Sequence, residues 1–360
     1  MASAAALIHG VHPYPCKFPA SAALVHLSEG EVVLDPFCGS GTTLVEAVTR
    51  GNSAIGLDSN PIAILISRFK VLPADAEFMR DAANVLERLR SESPRFRKSR
   101  AKLHSFAGQD HWFPDAVQRE LAAVLRWLQG QENDDIATWL RTALSAVVNR
   151  VSLQDSETRY TRIEREVPPG AVTQAWVRKA EDLLRALENR GTFPRGAARI
   201  EQCDVRDGIP LDDSTVNLIV TSPPYANTMD YYLYHKQRMN ILGLDFKQAQ
   251  RSEIGSRWEY SSLKAPAGKW RVDFAACLAE MHRVLLPEGR AIVIIGDSQI
   301  AGTLIDANEL THATGSQLGF RVVTQQSTPM AGASRSFNHA FQRPHKFEHV
   351  IELVRQGVTE

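Results

Sequence analysis

The sequence predicts an α/β fold: a mostly parallel seven-stranded sheet covered by helices, with an antiparallel last strand and a helical insertion. Three observations carry this expectation. Short apolar runs alternate with segments of helical period near both ends of the chain. The runs are continuous rather than alternating in polarity, as in strands buried on two faces. Residues 75–197 between them carry helical period only.

The elements follow in order. Val32-Val33-Leu34 is the first strand; Gly39 and Gly41 turn the chain, and a helix begins near Thr42. Ser53 to Asp58 is the second strand and ends in a carboxylate. Asn60-Pro61 opens the next helix, because proline is tolerated in a first turn. Helical patterns then cover 75–92, 115–129, 134–151 and 170–189. In the third, Ile136, Trp139, Leu140, Ala143, Leu144, Val147 and Val148 recur at three-four spacing. Arg199 to Cys203 and Val216 to Val220 return to strand. Phe274 to Leu286 reads as a helix, Pro287-Glu288-Gly289 as a turn, Ala291 to Gly296 as a strand and Thr303 to Gly315 as a helix. The stretch 247–271 reads as a basic loop. Gly319 to Thr324 and His349 to Leu353 close the sheet. The expected organisation is therefore 1–74 and 198–360 as two halves of one domain, with 75–197 inserted.

At 360 residues the chain is long enough to bury a sizeable core. Its 41 Lys+Arg balance 41 Asp+Glu, so any polyanion partner must be met by cations gathered on one face. The four cysteines (16, 38, 203 and 277) are scattered with no C-x-x-C, which disfavours a zinc site or a disulfide framework; no metal is expected. The first residues have no basic, apolar leader pattern, and no run is long enough to span a bilayer. A cytoplasmic protein with no membrane partner is expected.

Two segments carry the chemistry. Strand 216–220 leads straight into Thr221-Ser222-Pro223-Pro224-Tyr225. Proline fixes φ and leaves a carbonyl without an N–H, so the turn is stiff and rich in acceptors. Ser222 adds a hydroxyl and Tyr225 a flat face, a set that suits a planar heterocycle with an exocyclic amine. The other segment is Asp35-Pro36-Phe37-Cys38-Gly39-Ser40-Gly41-Thr42-Thr43, with Asp58 about 23 residues after Asp35. Glycines after a first strand let a ligand approach the backbone, and an acid ending the second strand suits ribose hydroxyls. No lysine follows the glycines, which disfavours a phosphate-gripping Walker loop.

Together, DPFCGSGTT and TSPPY resemble the amino-methyltransferases of DNA, which act on cytosine N4 or adenine N6. His12 to Pro19 looks like the segment ahead of that family's cofactor strand, and Thr221 to Gly243 like its catalytic loop and following helix. The likeness covers about 9–70 and 198–300. It implies a Rossmann-like methyltransferase fold, S-adenosylmethionine as cofactor, double-stranded DNA as partner and a restriction–modification setting with a cognate endonuclease. SPPY is the form most associated with cytosine N4. Adenine N6, an RNA base and a DNA-binding regulator without catalysis are the rival readings.

The resemblance assigns roles by position. Asp35 takes the cofactor ammonium, the backbone near Gly39, Gly41 and Thr42 its carboxylate, Asp58 the ribose and Asp204 the adenine amine. Phe18, Pro36 and Phe37 pack against the ligand. Ser222, Pro223, Pro224 and Tyr225 form the catalytic pocket, into which a paired base must be flipped. Asp230, Tyr231, His235, Lys236, Arg159 and Tyr160 are candidate substrate or DNA contacts, although the 228–240 run fits an ordinary amphipathic helix equally well. The basic run Arg95 to Lys102 is a further candidate contact with DNA, or simply a solvated face. Pro15-Cys16 offers the dipeptide of carbon-5 methylation, but lies upstream of the cofactor strand without its usual partners.

Overall fold

The computed structural model describes residues 4–16, 20, 25–330 and 346–357. Its strands, among the described residues, are β1 (Val32–Asp35), β2 (Ser53–Asp58), β3 (Ala198–Gln202), β4 (Val216–Thr221), β5 (Leu285–Gly296), β6 (Ser298–Ile300), β7 (Thr303–Ile305), β8 (Phe320–Pro329) and β9 (Phe347–Arg355). Seven of them form one sheet in the order β3-β2-β1-β4-β5-β9-β8. Neighbours from β3 to β5 are parallel, and β9 is antiparallel to both β5 and β8. This is the Rossmann-like methyltransferase sheet that the sequence predicts.

The order reverses between β1 and β4. The chain runs outward from β1 to β3, then crosses back to β4. Loops leaving two strands at such a reversal diverge and leave a crevice at the carboxyl ends. Pairing of Val33 and Leu34 with Leu218 and Ile219 sets the ends of β1 and β4 side by side. Val33, Leu34, Leu218, Ile219, Val220 and Ala291 to Ile295 are all buried, as continuous apolar strands require. Helix Ala267–Val284 lays Trp270, Phe274, Cys277, Leu278 and Met281 into the same core. Their three-four spacing puts them on one face, and each large apolar side chain buried contributes about 1.5–3 kcal/mol.

The helical region holds Ala76–Glu92, Asp115–Gln129, Asp134–Val151 and Ala171–Arg190. Asp75 and Asn133 start two of these by accepting first-turn N–H groups. Trp139 donates to the Ala180 carbonyl (2.9 Å), and Trp176 donates back to that of Leu140 (3.0 Å). The two buried indoles thus clamp the third and fourth helices.

The chain divides into two compact units. One is Met1–Pro15, Leu65–Arg195 and Tyr232–Gln250; the other is Cys16–Ile64, Gly196–Tyr231 and Arg251–Glu360. The helical unit therefore takes in two segments beyond the expected 75–197. Side-chain pairing explains both: Arg238 donates to the Ser145 carbonyl (3.0 Å) and pairs with Glu157, and His12 bonds the Ser145 hydroxyl (3.0 Å).

Three local expectations change. The stretch 247–271 is not a loop but carries Phe246–Ser252, Arg257–Ser261 and the start of the 267–284 helix, the second of them capped by Ser256. Thr303 belongs to the β6–β7 hairpin, and the helix starts at Ala307, where Asp306 and Asp297 accept the Glu309 and Ala307 N–H groups (2.8 and 3.0 Å). Pro287-Glu288-Gly289 lies within β5, whose pairing jumps from Val216↔Leu285 to Leu218↔Arg290.

Candidate active site

Every described residue assigned to the cofactor or the SPPY pocket lies in the sheet-containing unit; Phe18 falls outside the described residues. Asp35 ends β1 and is buried. Its Oδ1 accepts from the Thr221 hydroxyl (2.7 Å) and the Phe37 N–H (3.2 Å). Its Oδ2 is buried with no hydrogen-bond partner among the described residues. Burial pushes the carboxyl up to about 6, against the pull of the Thr221 and Phe37 hydrogen bonds; the nearby Thr43 hydroxyl donates to the Val220 carbonyl (3.3 Å). A buried acceptor left open in this way has an energetic need for a donor. Thr221 joins this carboxylate directly to Ser222-Pro223-Pro224-Tyr225, so the two sequence motifs meet at the switch point.

Gly41, at φ 75°, takes the left-handed turn that starts helix Thr42–Thr49, a conformation costly for a residue with Cβ. No side chain caps this helix, so N–H groups of its first turn lack an internal acceptor. Thr42 is its first residue, and Pro36 and Phe37 line the turn before it. Two of the expected anion donors are taken: Gly39 N–H donates to Asp58 Oδ2 (2.9 Å) and Gly41 N–H to the Cys38 carbonyl (2.7 Å). Asp58 Oδ1 accepts from Asn60 N–H (2.8 Å). Asp58 is thus a brace for the glycine turn, and burial pushes it up to about 6. It is half-buried, and a carboxylate offers about four lone-pair sites, so acceptor capacity is left over.

The proline turn is held from both sides. Trp270 donates to the Pro224 carbonyl (3.4 Å) and stacks on Phe274, ring centroids 5.1 Å apart. The Tyr225 hydroxyl donates to Glu348 Oε1 (2.9 Å) and is also bonded to Ser222. Burial first, then the Glu348 charge, push the phenol well above its ordinary value, so it stays a proton donor. With its proton on Glu348, Tyr225 has only lone pairs to offer Ser222. A Ser222 hydroxyl that donates to Tyr225 keeps lone pairs with which to accept. Gly296 lies against the tyrosine: a Cβ there would sit 2.6 Å from the ring. Thr221, Glu348, Gly296 and Trp270 were missed as site residues, since none carries a signal outside its tertiary neighbours.

The more distant candidates have partners of their own. Asp204 is engaged by Arg206, whose guanidinium takes both carboxylate oxygens (2.9 and 2.6 Å) and also reaches Asp273 (3.2 Å). The ion pair fixes its orientation at the end of the third strand of the sequence. Asp230 Oδ1 accepts from Trp258 N–H (2.9 Å), and its burial raises the carboxyl. Tyr231 bonds the Cys16 thiol. The remaining four contacts belong to the helical unit. His235 is buried against Tyr14 and Tyr234 (5.1 and 4.9 Å), with neither ring nitrogen hydrogen-bonded among the described residues. Burial and Arg238 hold it well below its ordinary value, so it is neutral. Lys236 sits over the Tyr160 and Phe246 rings (5.5 and 4.9 Å), and Tyr160 packs on Trp112 (4.6 Å). Arg159 is exposed and paired with Asp155 (3.2 Å).

Asp297, Asp306 and His349 bring ligand-type atoms together beyond this crevice. Asp297 is already taken by the Ala307 and Phe347 N–H groups and His349, and Asp306 by the Glu309 N–H, so the cluster is a structural knot. No helix among the described residues is long and apolar enough to cross a membrane.

Comparison with known proteins bears on the family. Residues 9–68 match the N6/N4 DNA methylase family model. The chain is 26% identical over 271 residues to the Type II methyltransferase M.MvaI of Kocuria varians, covering 69% of this chain and 60% of that protein. It is 21% identical over 252 residues to the Type II methyltransferase M.BsoBI of Geobacillus stearothermophilus, covering 62% and 49%. The chain thus spans about half to three-fifths of the length of these curated relatives. Among solved structures, a TehB-like SAM-dependent methyltransferase from Corynebacterium glutamicum aligns over 95% of this chain and 90% of its own, at 12% identity and a TM-score of 0.35. The resemblance carried by the motifs holds: the chain is similar to the DNA amino-methyltransferases of the N6/N4 class.

Proposed function

We propose that the chain is a DNA methyltransferase that uses S-adenosylmethionine to methylate the N4 amine of cytosine in a flipped-out nucleotide. The observation that carries this reading is the open, buried Oδ2 of Asp35 beside the SPPY turn. The residues fit the cofactor. Asp35 Oδ2 suits its ammonium, the uncapped first turn of helix Thr42–Thr49 its carboxylate, and the remaining lone pairs of Asp58 its ribose hydroxyls. Bound there, S-adenosylmethionine supplies an activated methyl group.

The chain's own groups prepare the amine. That nitrogen is a poor nucleophile because its lone pair is delocalised into the ring. The Ser222 hydroxyl, its proton directed at Tyr225, and the Pro223 carbonyl accept the amine's two hydrogens. Two acceptors at this angle draw the nitrogen towards tetrahedral geometry and localise the lone pair. The Tyr225 ring, held by Glu348, covers one face of the base. Positioning and fixed dipoles supply most of the rate, since serine is too weak a base to take a proton at the outset. The proton leaves late, to water.

Cytosine N4 rests on the SPPY form, and the Type II names of the relatives make a restriction–modification setting part of the proposal. The test offers labelled cofactor with duplex DNA or total tRNA, followed by nucleoside digestion and mass spectrometry. N4-methylcytosine in DNA is expected. N6-methyladenine overturns the base, label in tRNA alone overturns the DNA substrate, and DNA binding without transfer overturns catalysis.

A further inference from the structure

Helix Ala76–Glu92 runs into a 3-10 turn, Ser93–Lys98, after which the chain continues without regular structure. Arg95, Arg97, Lys98, Arg100 and Lys102 fall within eight residues there, and all five are exposed. None meets a carboxylate among the described residues, whereas Arg80, Arg90, Arg119, Arg159, Arg185 and Arg195 of the same unit each do. The nearest acid along the chain, Glu92, accepts the Trp127 indole N–H (2.7 Å). Ser93 and Ala101 are buried and pin the segment at each end. Beside it lies an open depression of about 500 Å³ lined by Arg90, Arg97 and Arg178 and by Glu120 and Glu181; Glu181 is paired with Arg90 and Glu120 accepts from the Thr173 N–H (3.1 Å), whereas Arg178 has no carboxylate partner among the described residues.

A chain of zero net charge gains no stability from crowding like charges on one pinned strip. The strip lowers its free energy when a polyanion displaces its counterions. Residues 95–102 are dominated by Arg and Lys, the side chains that supply most contacts to phosphate oxygens. We propose that residues 95–102, together with Arg178, grip the sugar–phosphate backbone of duplex DNA and supply sequence-independent affinity. This rests on the DNA reading above.

The test compares the wild type with a variant carrying Arg95→Gln, Arg97→Gln, Lys98→Gln, Arg100→Gln and Lys102→Gln. Affinity for a fluorescent duplex is measured across a salt series. Each phosphate that is no longer neutralised flattens the log–log salt dependence by about 0.9, so the slope should fall by roughly 3 to 4.5. A second variant with Arg95, Arg97 and Arg100 changed to Lys should keep the slope. Thermal melting and cofactor binding check the fold; should the five-fold variant melt early, Arg97→Gln with Lys98→Gln carries the test, with an expected flattening of about 2. A wild type that retains no duplex at all overturns the DNA reading. A wild type that binds while the neutralised variant keeps its slope overturns the grip.

Discussion

Replacing Asp35 by asparagine removes a charge and little else. The amide oxygen still accepts from Thr221, which lies 2.7 Å from the present carboxylate, so the strand ends stay joined. What disappears is the buried anion facing the cofactor ammonium. A hydrogen bond to a charged group contributes about 1.5–3 kcal/mol, so cofactor affinity should fall about 10- to 150-fold. The pH profile gives a sharper signature. The carboxyl is held up at about 6 by burial, and binding the ammonium requires it ionised. It is about nine-tenths ionised at pH 7 and about one-tenth at pH 5, so wild-type affinity should drop roughly ninefold between them. Above about pH 8 affinity falls again, as the cofactor's own amine loses its proton. The Asp35→Asn protein loses this titration, so its affinity should change less steeply than the wild type's from about pH 5 to 7, with Asp58, also held up at about 6, the carboxyl that still titrates there. Calorimetric titration with S-adenosylmethionine or its demethylated product measures both proteins. A flat wild-type profile, or a variant that keeps the wild-type slope, refutes the role given to Asp35.

The same shift acts on the empty protein with opposite sign. The folded carboxyl holds its proton up to about 6 and the unfolded one only to 3.8, so apo stability falls as pH rises through that window. Asp35 alone should cost about 1.3 kcal/mol between pH 5 and 7 in urea titrations, and Asp35→Asn should remove that part. Tyr225→Ala should lower turnover far more than cofactor affinity; equal losses in steady-state and binding measurements contradict the stacking role. Glu348→Gln replaces a charged acceptor of the tyrosine proton by a neutral one 2.9 Å away, and should lower kcat about fivefold with cofactor binding unchanged. Gly296→Ala drives a Cβ to 2.6 Å from the Tyr225 ring and should lower kcat through displacement of that ring, while single-turnover assays show the cofactor still bound.

Period and composition carried the sheet and the four insertion helices, whose ends fall within a residue of the 75–92, 115–129, 134–151 and 170–189 patterns. Each is written locally: an apolar stripe at three-four spacing, in two cases with a capping Asp75 or Asn133 ahead of it. The same local logic failed at Thr303, where hydrogen bonds from the Glu309 and Ala307 N–H groups to Asp306 and Asp297 decided where the helix begins. His235 and Lys236 read equally as substrate contacts or as part of an amphipathic helix; one is buried and the other lies over aromatic rings. Nothing in a run of mixed aromatics and cations says which face turns inward.

The sequence by itself determined which groups were available: an acid ending the first strand, a glycine turn, and a serine held between a strand and two prolines. Those follow from short-range rules of φ, hydrogen-bonding capacity and apolar period, and need no partner far along the chain. Only the tertiary structure decided that Thr221 reaches across 186 positions to Asp35, leaving one buried oxygen open, and that Glu348 orders Tyr225 from 123 positions away. Such pairings depend on strand order and register, which arise from packing the whole core at once.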